Sequence, residues 1–371
     1  MEYRTIPGLE ARPSLLGYGC MRFPTLPQGG IDEPAAKALL DRAIQGGVNY
    51  FDTAYFYHDG ASESFTARSL ADYPRETYYL TSKLPTTLVH SLDDAKRIYA
   101  EQRERLGVDY LDFYLLHNLN GPRFREMVEL GVVDWCLDLQ KQGAFRRFGF
   151  SFHGSYGEFK EILTARTWDV CQIQLNYMDT QEQAGLEGYR LTETLSVPLI
   201  IMEPVKGGAL ASPPPEVMEL LTEADPAASA ASWALRWAGS LPNVMTVLSG
   251  MSAMEQVEDN LRTFSPFRPL AAGERETLDR AAARFRARMK NGCTGCRYCM
   301  PCPAGVDIPA NFKLWNEYGI YGDAKRAAAK WKDLAGRADA CVSCGACEEK
   351  CPQKLPIPAD LERLKAELDA I

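Results

Sequence analysis

The chain has 371 residues, of which 46% are hydrophobic and 24% charged. That is the balance of a globular protein long enough for one large domain and a smaller one. A formal net charge of −8 with no basic run argues against a nucleic-acid partner. There is no run of about 18 apolar residues, so no membrane span is expected. The first residues, MEYRTIPGLEARPS, lack the basic and apolar regions of a signal peptide, and a cytoplasmic location is the expectation.

Taken in chain order, short β-rich runs alternate with helix-like segments. The runs are SLLGYGCMRF, VNYFDTAYF, TYYLTSKLP, YLDFYLLHN, FRRFGFSFHG, VCQIQLNYM, VPLIIMEPV and VMTVLSGM. Segments such as DEPAAKALLDRAIQGG and SLDDAKRIYAEQRERLG carry apolar residues at helical spacing and end in glycine. The run ends at Asp52, Lys83, His117, Ser151, Gln174, Glu203 and Ser249 fall about 30 residues apart, one βα unit each. Eight such units over about 250 residues predict a (β/α)8 TIM barrel, placed at residues 1–285. The rival, a doubly wound dinucleotide fold, lacks its G-x-G-x-x-G after any strand. Beyond about residue 270 the pattern turns helical. AGERETLDRAAARFRARMKNG reads as a helix closed by Gly292, and residues 286–371 form a second, small domain.

Eight of the eleven cysteines lie in that second domain. Cys341, Cys344, Cys347 and Cys351, followed by Pro352, have the C-x2-C-x2-C-x3-C-P spacing of bacterial [4Fe–4S] ferredoxins. Cys293, Cys296, Cys299 and Cys302 repeat it with one residue fewer before the last cysteine. Clustered thiols in a reducing compartment point to metal rather than disulfides. Structural zinc also takes four cysteines, but it has no use for the proline. Three thiols on a turn serve one cluster and the fourth reaches the other. Cys293, Cys296, Cys299 and Cys351 are therefore expected to hold one [4Fe–4S] cluster, and Cys341, Cys344, Cys347 and Cys302 a second. The helical spacer makes this domain similar to the α-helical ferredoxins. Its few apolar residues suggest that the clusters staple it.

Barrel enzymes place their chemistry at the C-terminal strand ends. Three successive ends carry Asp52, Lys83 and His117, and Tyr57 follows Asp52 by five residues. This ordered set, in FDTAYFYHDGASE, TSKLP and LLHN, resembles the tetrad of the aldo-keto reductase superfamily over about residues 3–265. The cysteine runs, through CMPCPAGVDIP, resemble the subset with a C-terminal ferredoxin-like domain. The chemistry is stated independently of the likeness. A carbonyl takes a hydride on carbon and a proton on oxygen. Tyr57 is the expected proton donor, Lys83 the cation that lowers its pKa, Asp52 the partner of Lys83, and His117 the group that orients the carbonyl. His58, His153 and Arg22 are expected near the mouth as pocket or surface residues.

The resemblance implies an extended NAD(P)H across the strand ends. Gly19, Cys20 and Met21 match the loop by the nicotinamide ribose. Ser151 and Gln172 match the carboxamide ligands, and Pro204, Val205 and Lys206 the pyrophosphate loop. Two departures stand out: Met202 replaces a stacking tyrosine, and Gly250 and Gln256 fill the basic positions of the adenosine end, ahead of Asp259 and Asn260. A 2′-phosphate wants a cation, so NAD and NADP both stay open. The expected function is reduction of a small carbonyl, or oxidation of an alcohol, with clusters relaying electrons to a redox protein partner. Hydride carries two electrons and a cluster one. A flavin or a radical-tolerant substrate would bridge them, unless the clusters are structural or redox-sensing. The alternative is a nucleotide-sensing or electron-transfer module on a catalytically silent barrel.

Overall fold

A computed structural model describes residues 1–5, 12–293, 295, 297–351 and 353–371. The expected ligand Cys296 lies outside the described residues. These residues group into two compact units, Met1–Gly207 with Ala231–Ala271, and Gly208–Ala230 with Ala272–Ile371. No helix among the described residues is long and apolar enough to cross a membrane.

The first unit is a closed parallel barrel of eight strands in sequence order. They are β1 (Leu16–Gly19), β2 (Tyr50–Asp52), β3 (Tyr79–Pro85), β4 (Leu111–Leu119), β5 (Phe145–Phe152), β6 (Val170–Gln174), β7 (Leu199–Met202) and β8 (Val244–Ser249). Seven helices follow in the connections: α1 (Glu33–Gln45), α2 (Ala61–Leu70), α3 (Leu92–Leu106), α4 (Gly121–Glu129), α5 (Val132–Lys141), α6 (Tyr156–Thr164) and α7 (Gly185–Leu195). Each begins or ends where local chemistry demands. Asp32, Ser91 and Asn120 accept backbone N–H groups as N-caps of α1, α3 and α4, and Ser155 with Glu158 forms a capping box on α6. Gly107 closes α3 in the left-handed region.

Strand alternation decides what faces the barrel interior. Phe51, Leu80, Leu84, Tyr114 and Leu116 join the large core between sheet and helices. Their neighbours point inward, and Tyr50, Phe113, Leu115, Val170, Ile200, Met245 and Leu248 pack together as the barrel filling. The same inward parity carries Asp52, Lys83 and His117. Register pairs Asp52 with Thr81, Lys83 with Leu115, and Pro85 with His117, so the three rise in steps toward the C-terminal mouth.

In the second unit α8 (Pro215–Ala224) packs with α11 (Ala272–Ala287). Between them in sequence lie α9 (Ala230–Gly239) and α10 (Met254–Phe264), which belong to the first unit but for Ala230. The cysteine region then carries α12 (Ile308–Tyr321), α13 (Ala324–Asp333), α14 (Ala346–Glu349) and α15 (Ile357–Asp369). Two expectations change here. Helix α11 stops at Ala287, short of Gly292, because the backbone N–H groups of Lys290 and Asn291 leave the helix to donate to Asn316 Oδ1 at 2.9 and 2.8 Å. The region is also not short of apolar residues. Val306, Ile308, Phe312, Trp315, Trp331, Leu361 and Leu364 form a core of their own. Burying such side chains is worth roughly 1.5–3 kcal/mol each. Gly336, with φ of 66°, must stay glycine, since a Cβ there would lie 2.7 Å from Gly305 O and 2.8 Å from Asp307 N.

Candidate active site

The four expected residues converge at the mouth. Lys83 Nζ donates to Asp52 Oδ1 at 2.6 Å, to Thr53 O at 2.9 Å and to Tyr57 Oη at 3.3 Å. Lys83 is wholly buried and Asp52 is 2% exposed. The His117 ring stands edge-to-face with Tyr57, its centroid 5.9 Å away. Thr86 Oγ1 holds the His117 carbonyl at 2.7 Å. Among the described residues His117 Nδ1 and Asp52 Oδ2 are buried without a hydrogen-bond partner.

Burial dominates the electrostatics. It works to lower the Lys83 ammonium, but the Asp52 and Tyr57 oxygens outweigh it, and Lys83 sits above the ordinary lysine value, firmly cationic. For Tyr57 burial also outweighs the nearby ammonium, so the phenol lies above its usual value rather than below it, contrary to the sequence expectation. Lys83 offsets part of that rise. His117 is driven down to about 3 by burial, then by Lys83 and His153, and is a neutral imidazole at neutral pH.

Behind Lys83 lies a network that the sequence reading missed. The buried Glu63 on α2 accepts from Ser82 Oγ at 2.5 Å and Gln102 Nε2 at 2.6 Å. Gln102 Nε2 also donates to Lys83 O at 3.0 Å, and its Oε1 accepts from Tyr114 Oη at 2.6 Å. Arg105 closes the charge on Glu63 at 3.3 Å. The available signal was Gln102 itself, a polar residue on the α3 face shared by Ala95, Ile98, Tyr99 and Leu106.

The residues matched to a nicotinamide divide into two groups. Gln172, 1% exposed on β6, leaves Oε1 unpartnered among the described residues. Ser151 Oγ accepts from Asn118 N at 2.9 Å. Both sit on inward strand positions near the tetrad and suit a carboxamide. Gly19 is half-buried, Cys20 buried and Met21 47% exposed. Burial pushes the Cys20 thiol up to about 12, so it stays protonated. Met202 packs against the barrel filling. Pro204 is buried and Val205 packs against the large core.

The remaining matches are committed within the chain. Lys206 Nζ bonds both oxygens of the buried Asp179, at 2.7 and 2.6 Å. Gln256 Oε1 accepts from Ser252 N at 2.7 Å, and Asn260 Nδ2 donates to Ser249 Oγ at 2.9 Å. Over Gly250 lies the Arg22 stem, whose Cγ would be 2.7 Å from a Cβ at that position. It is the aliphatic stem of Arg22, Cβ and Cγ, that covers this position. His153 faces Glu203 and Gln183. His58 turns to the β1 loop, where its Nε2 accepts from Phe23 N at 3.1 Å.

Two thiol-lined cavities occupy the cysteine region. One, of about 410 Å3, is lined by Cys299, Cys302, Cys341, Cys344 and Cys347 with Ile308 and Leu361. The other, of about 300 Å3, is lined by Cys293, Cys299 and Cys351 with Ile308, Phe312 and Leu355. Cys302 thus sits among the later cysteines and Cys351 among the earlier ones. Thiol sulfur against apolar walls is the donor set of an iron–sulfur cluster.

Comparison with known proteins agrees with this geometry. Residues 15–283 match the aldo/keto reductase family, and residues 292–355 match a 4Fe-4S dicluster domain. An aldo-keto reductase of Mycolicibacterium smegmatis is 29% identical over 68% of this chain and 83% of its own length. L-Galactose dehydrogenase of Arabidopsis thaliana is 23% identical over 76% of this chain and 94% of its own. Among solved structures, aldo-keto reductase AKR11C1 from Bacillus halodurans superposes with a TM-score of 0.64 at 24% identity, covering 76% of this chain and 96% of that one. An aldo-keto reductase of Klebsiella pneumoniae solved in complex with NADPH gives 0.62 at 21% identity, covering 76% and 95%. The chain belongs to the aldo/keto reductase family and carries a 4Fe-4S dicluster domain at its C-terminal side.

Proposed function

We propose that residues 1–285 carry out proton-coupled hydride exchange between NAD(P)H and a small carbonyl or alcohol, and that residues 286–371 hold two [4Fe–4S] clusters. The observation that carries this reading is the chain from the buried Asp52 through the buried Lys83 ammonium to the half-buried Tyr57, beside a neutral His117. The nicotinamide, when bound, supplies or accepts the hydride. Tyr57 gives its proton to the carbonyl oxygen, and the Lys83 ammonium stabilises the phenolate left behind. Asp52 keeps the buried Lys83 charged. His117 donates a ring N–H to the same oxygen and fixes its direction. The unpartnered Gln172 Oε1 and the Ser151 hydroxyl would hold the carboxamide. Arg22, whose stem covers Gly250, is the candidate to reach the nucleotide phosphates with its guanidinium.

The clusters, when bound, pass single electrons. Cys293, Cys296, Cys299 and Cys351 would hold one, and Cys302, Cys341, Cys344 and Cys347 the other, in keeping with the two cavities. A redox protein partner and a flavin or radical-tolerant substrate belong to this reading as the means of joining two-electron to one-electron chemistry. The test is anaerobic purification with iron and sulfide counts, then NADH and NADPH oxidation against a carbonyl panel. Tyr57→Phe reducing a carbonyl at the parental rate would defeat the assignment of the donor. A second reading, nucleotide sensing on a silent barrel, draws on Lys206 and Gln256 being committed to the chain itself. Tight NAD(P)H binding without turnover of any carbonyl would favour it.

A further inference from the structure

We infer that His58 is a positioning residue: its unprotonated Nε2 clamps the loop that carries Tyr57 to the β1 loop and so keeps the Tyr57 hydroxyl over Lys83. This rests on the reading of Tyr57 as proton donor. The loop after Tyr57 runs through His58 (φ 52°, ψ 49°), Asp59 (φ 54°, ψ 33°) and Gly60 (φ 90°), three successive residues in the left-handed region. Glycine tolerates this, but two residues with side chains do not adopt it without outside support.

The support visible on His58 is specific. Phe23 N–H donates to Nε2 at 3.1 Å, and the imidazole stacks on the Phe23 ring with centroids 5.6 Å apart and planes 28° from parallel. Phe23 is itself fixed, stacked on Tyr18 at 5.8 Å and meeting the edge of Phe65 on α2 at 4.9 Å. The imidazole therefore links a strained segment to a rigid aromatic group. Tyr57, one residue earlier, has its hydroxyl 3.3 Å from Lys83 Nζ, a contact that a small shift of the loop would lengthen.

The clamp has a protonation state. A nitrogen that accepts from a backbone N–H holds no proton of its own. Two charged groups face the ring, Arg22 from the β1 loop and Asp59 from its own loop. Burial and Arg22 disfavour the imidazolium, Asp59 favours it, and the net direction is down. The clamp is closed at neutral pH and opens as pH falls through a value below the ordinary histidine range. His117 stays neutral to about 3, while burial raises the Asp52 carboxyl and lowers His153, so an acid-side loss of turnover is assigned to His58 by its disappearance in His58→Gln.

The experiment compares the cluster-loaded protein with His58→Ala and His58→Gln, since a Gln carbonyl oxygen accepts the same N–H without titrating. Three readouts are taken: kcat and KM against pH, the ultraviolet titration of Tyr57 (by difference against paired Tyr57→Phe proteins), and hydrogen exchange at the Phe23 amide. In His58→Ala we expect kcat to fall by about 10- to 100-fold with KM for the nucleotide within about twofold. Tyr57 should titrate at higher pH, and the Phe23 amide should exchange faster. In His58→Gln kcat should return to within a few-fold of the parent, and the acid limb should disappear. Retention of the acid limb in His58→Gln, or an unchanged Tyr57 titration in His58→Ala, overturns the inference. If His58→Ala does not fold, the Gln variant alone decides. If the parent turns over no carbonyl, it is the proton-donor reading that fails, and the Tyr57 titration and Phe23 exchange still decide His58.

Discussion

Replacing Asp52 by Asn tests the centre of the site most directly. The change keeps shape and removes one charge, leaving the Lys83 ammonium wholly buried with the Thr53 carbonyl at 2.9 Å and the Tyr57 hydroxyl at 3.3 Å. Removing one partner of a buried pair costs about 3–5 kcal/mol. An independent ceiling exists, because the lysine can escape by losing its proton. From a reference pKa of about 10.4 to pH 7, at about 1.36 kcal/mol per pH unit, that escape costs about 4.6 kcal/mol. The expected loss at pH 7 is therefore about 3–4.6 kcal/mol.

The sign of the pH dependence follows. In the parent, Lys83 lies above its unfolded value. Its contribution is complete below the ordinary lysine range and is lost only as pH rises through the higher folded value. In Asp52→Asn the folded value falls below the unfolded one, so the unfolded chain binds the extra proton and stability recovers as pH rises toward 10. Anaerobic guanidinium unfolding at matched iron content, at pH 7 and pH 9.5, measures both. A variant within 1 kcal/mol of the parent at pH 7 and flat with pH would refute the buried ion pair.

Four further outcomes are expected. Tyr57→Phe loses about 10²–10⁴ in carbonyl reduction, while dithionite reduction of the clusters, followed by electron paramagnetic resonance, is unchanged. Cys302→Ser loses the cluster of Cys341, Cys344 and Cys347 and keeps the other, halving the iron content; loss of the signal from the Cys293 side instead would reverse the crossed pairing. Gln102→Leu strands the Tyr114 hydroxyl and takes one donor from Glu63, and costs about 1–3 kcal/mol in unfolding experiments, with a drop in kcat if the Lys83 backbone shifts. Asp179→Ala removes the carboxylate that neutralises Lys206 and tightens NADPH binding by nucleotide titration; weaker binding would show that the pair holds the loop in its binding shape.

The barrel was legible because its signal is repeated. Eight apolar runs at one spacing fix the topology, and the period-two alternation along β2, β3 and β4 sends Asp52, Lys83 and His117 to the same face. The end of α11 was not legible, because it is set by Asn316, a residue far along the chain that competes for backbone N–H groups. The direction of the Tyr57 phenol was missed for a related reason: a neighbouring cation is visible in sequence order, whereas the depth of burial is not. Lys206 looked available because its partner Asp179 follows a different strand. Glu63 needed contact partners on α3 and β3 to be seen as part of the site.

The two cysteine-lined cavities have Cys299 and Ile308 in common. If each cavity held a cluster as proposed, the two would share Cys299 and Ile308 as neighbours, with little between them to screen charge. The first electron to arrive would then raise the cost of the second, and the pair would titrate in two separated reductive steps, neither belonging to one cluster alone. Such a couple takes up one electron readily and resists two, which sets a natural sequence for delivery to a partner that accepts them singly.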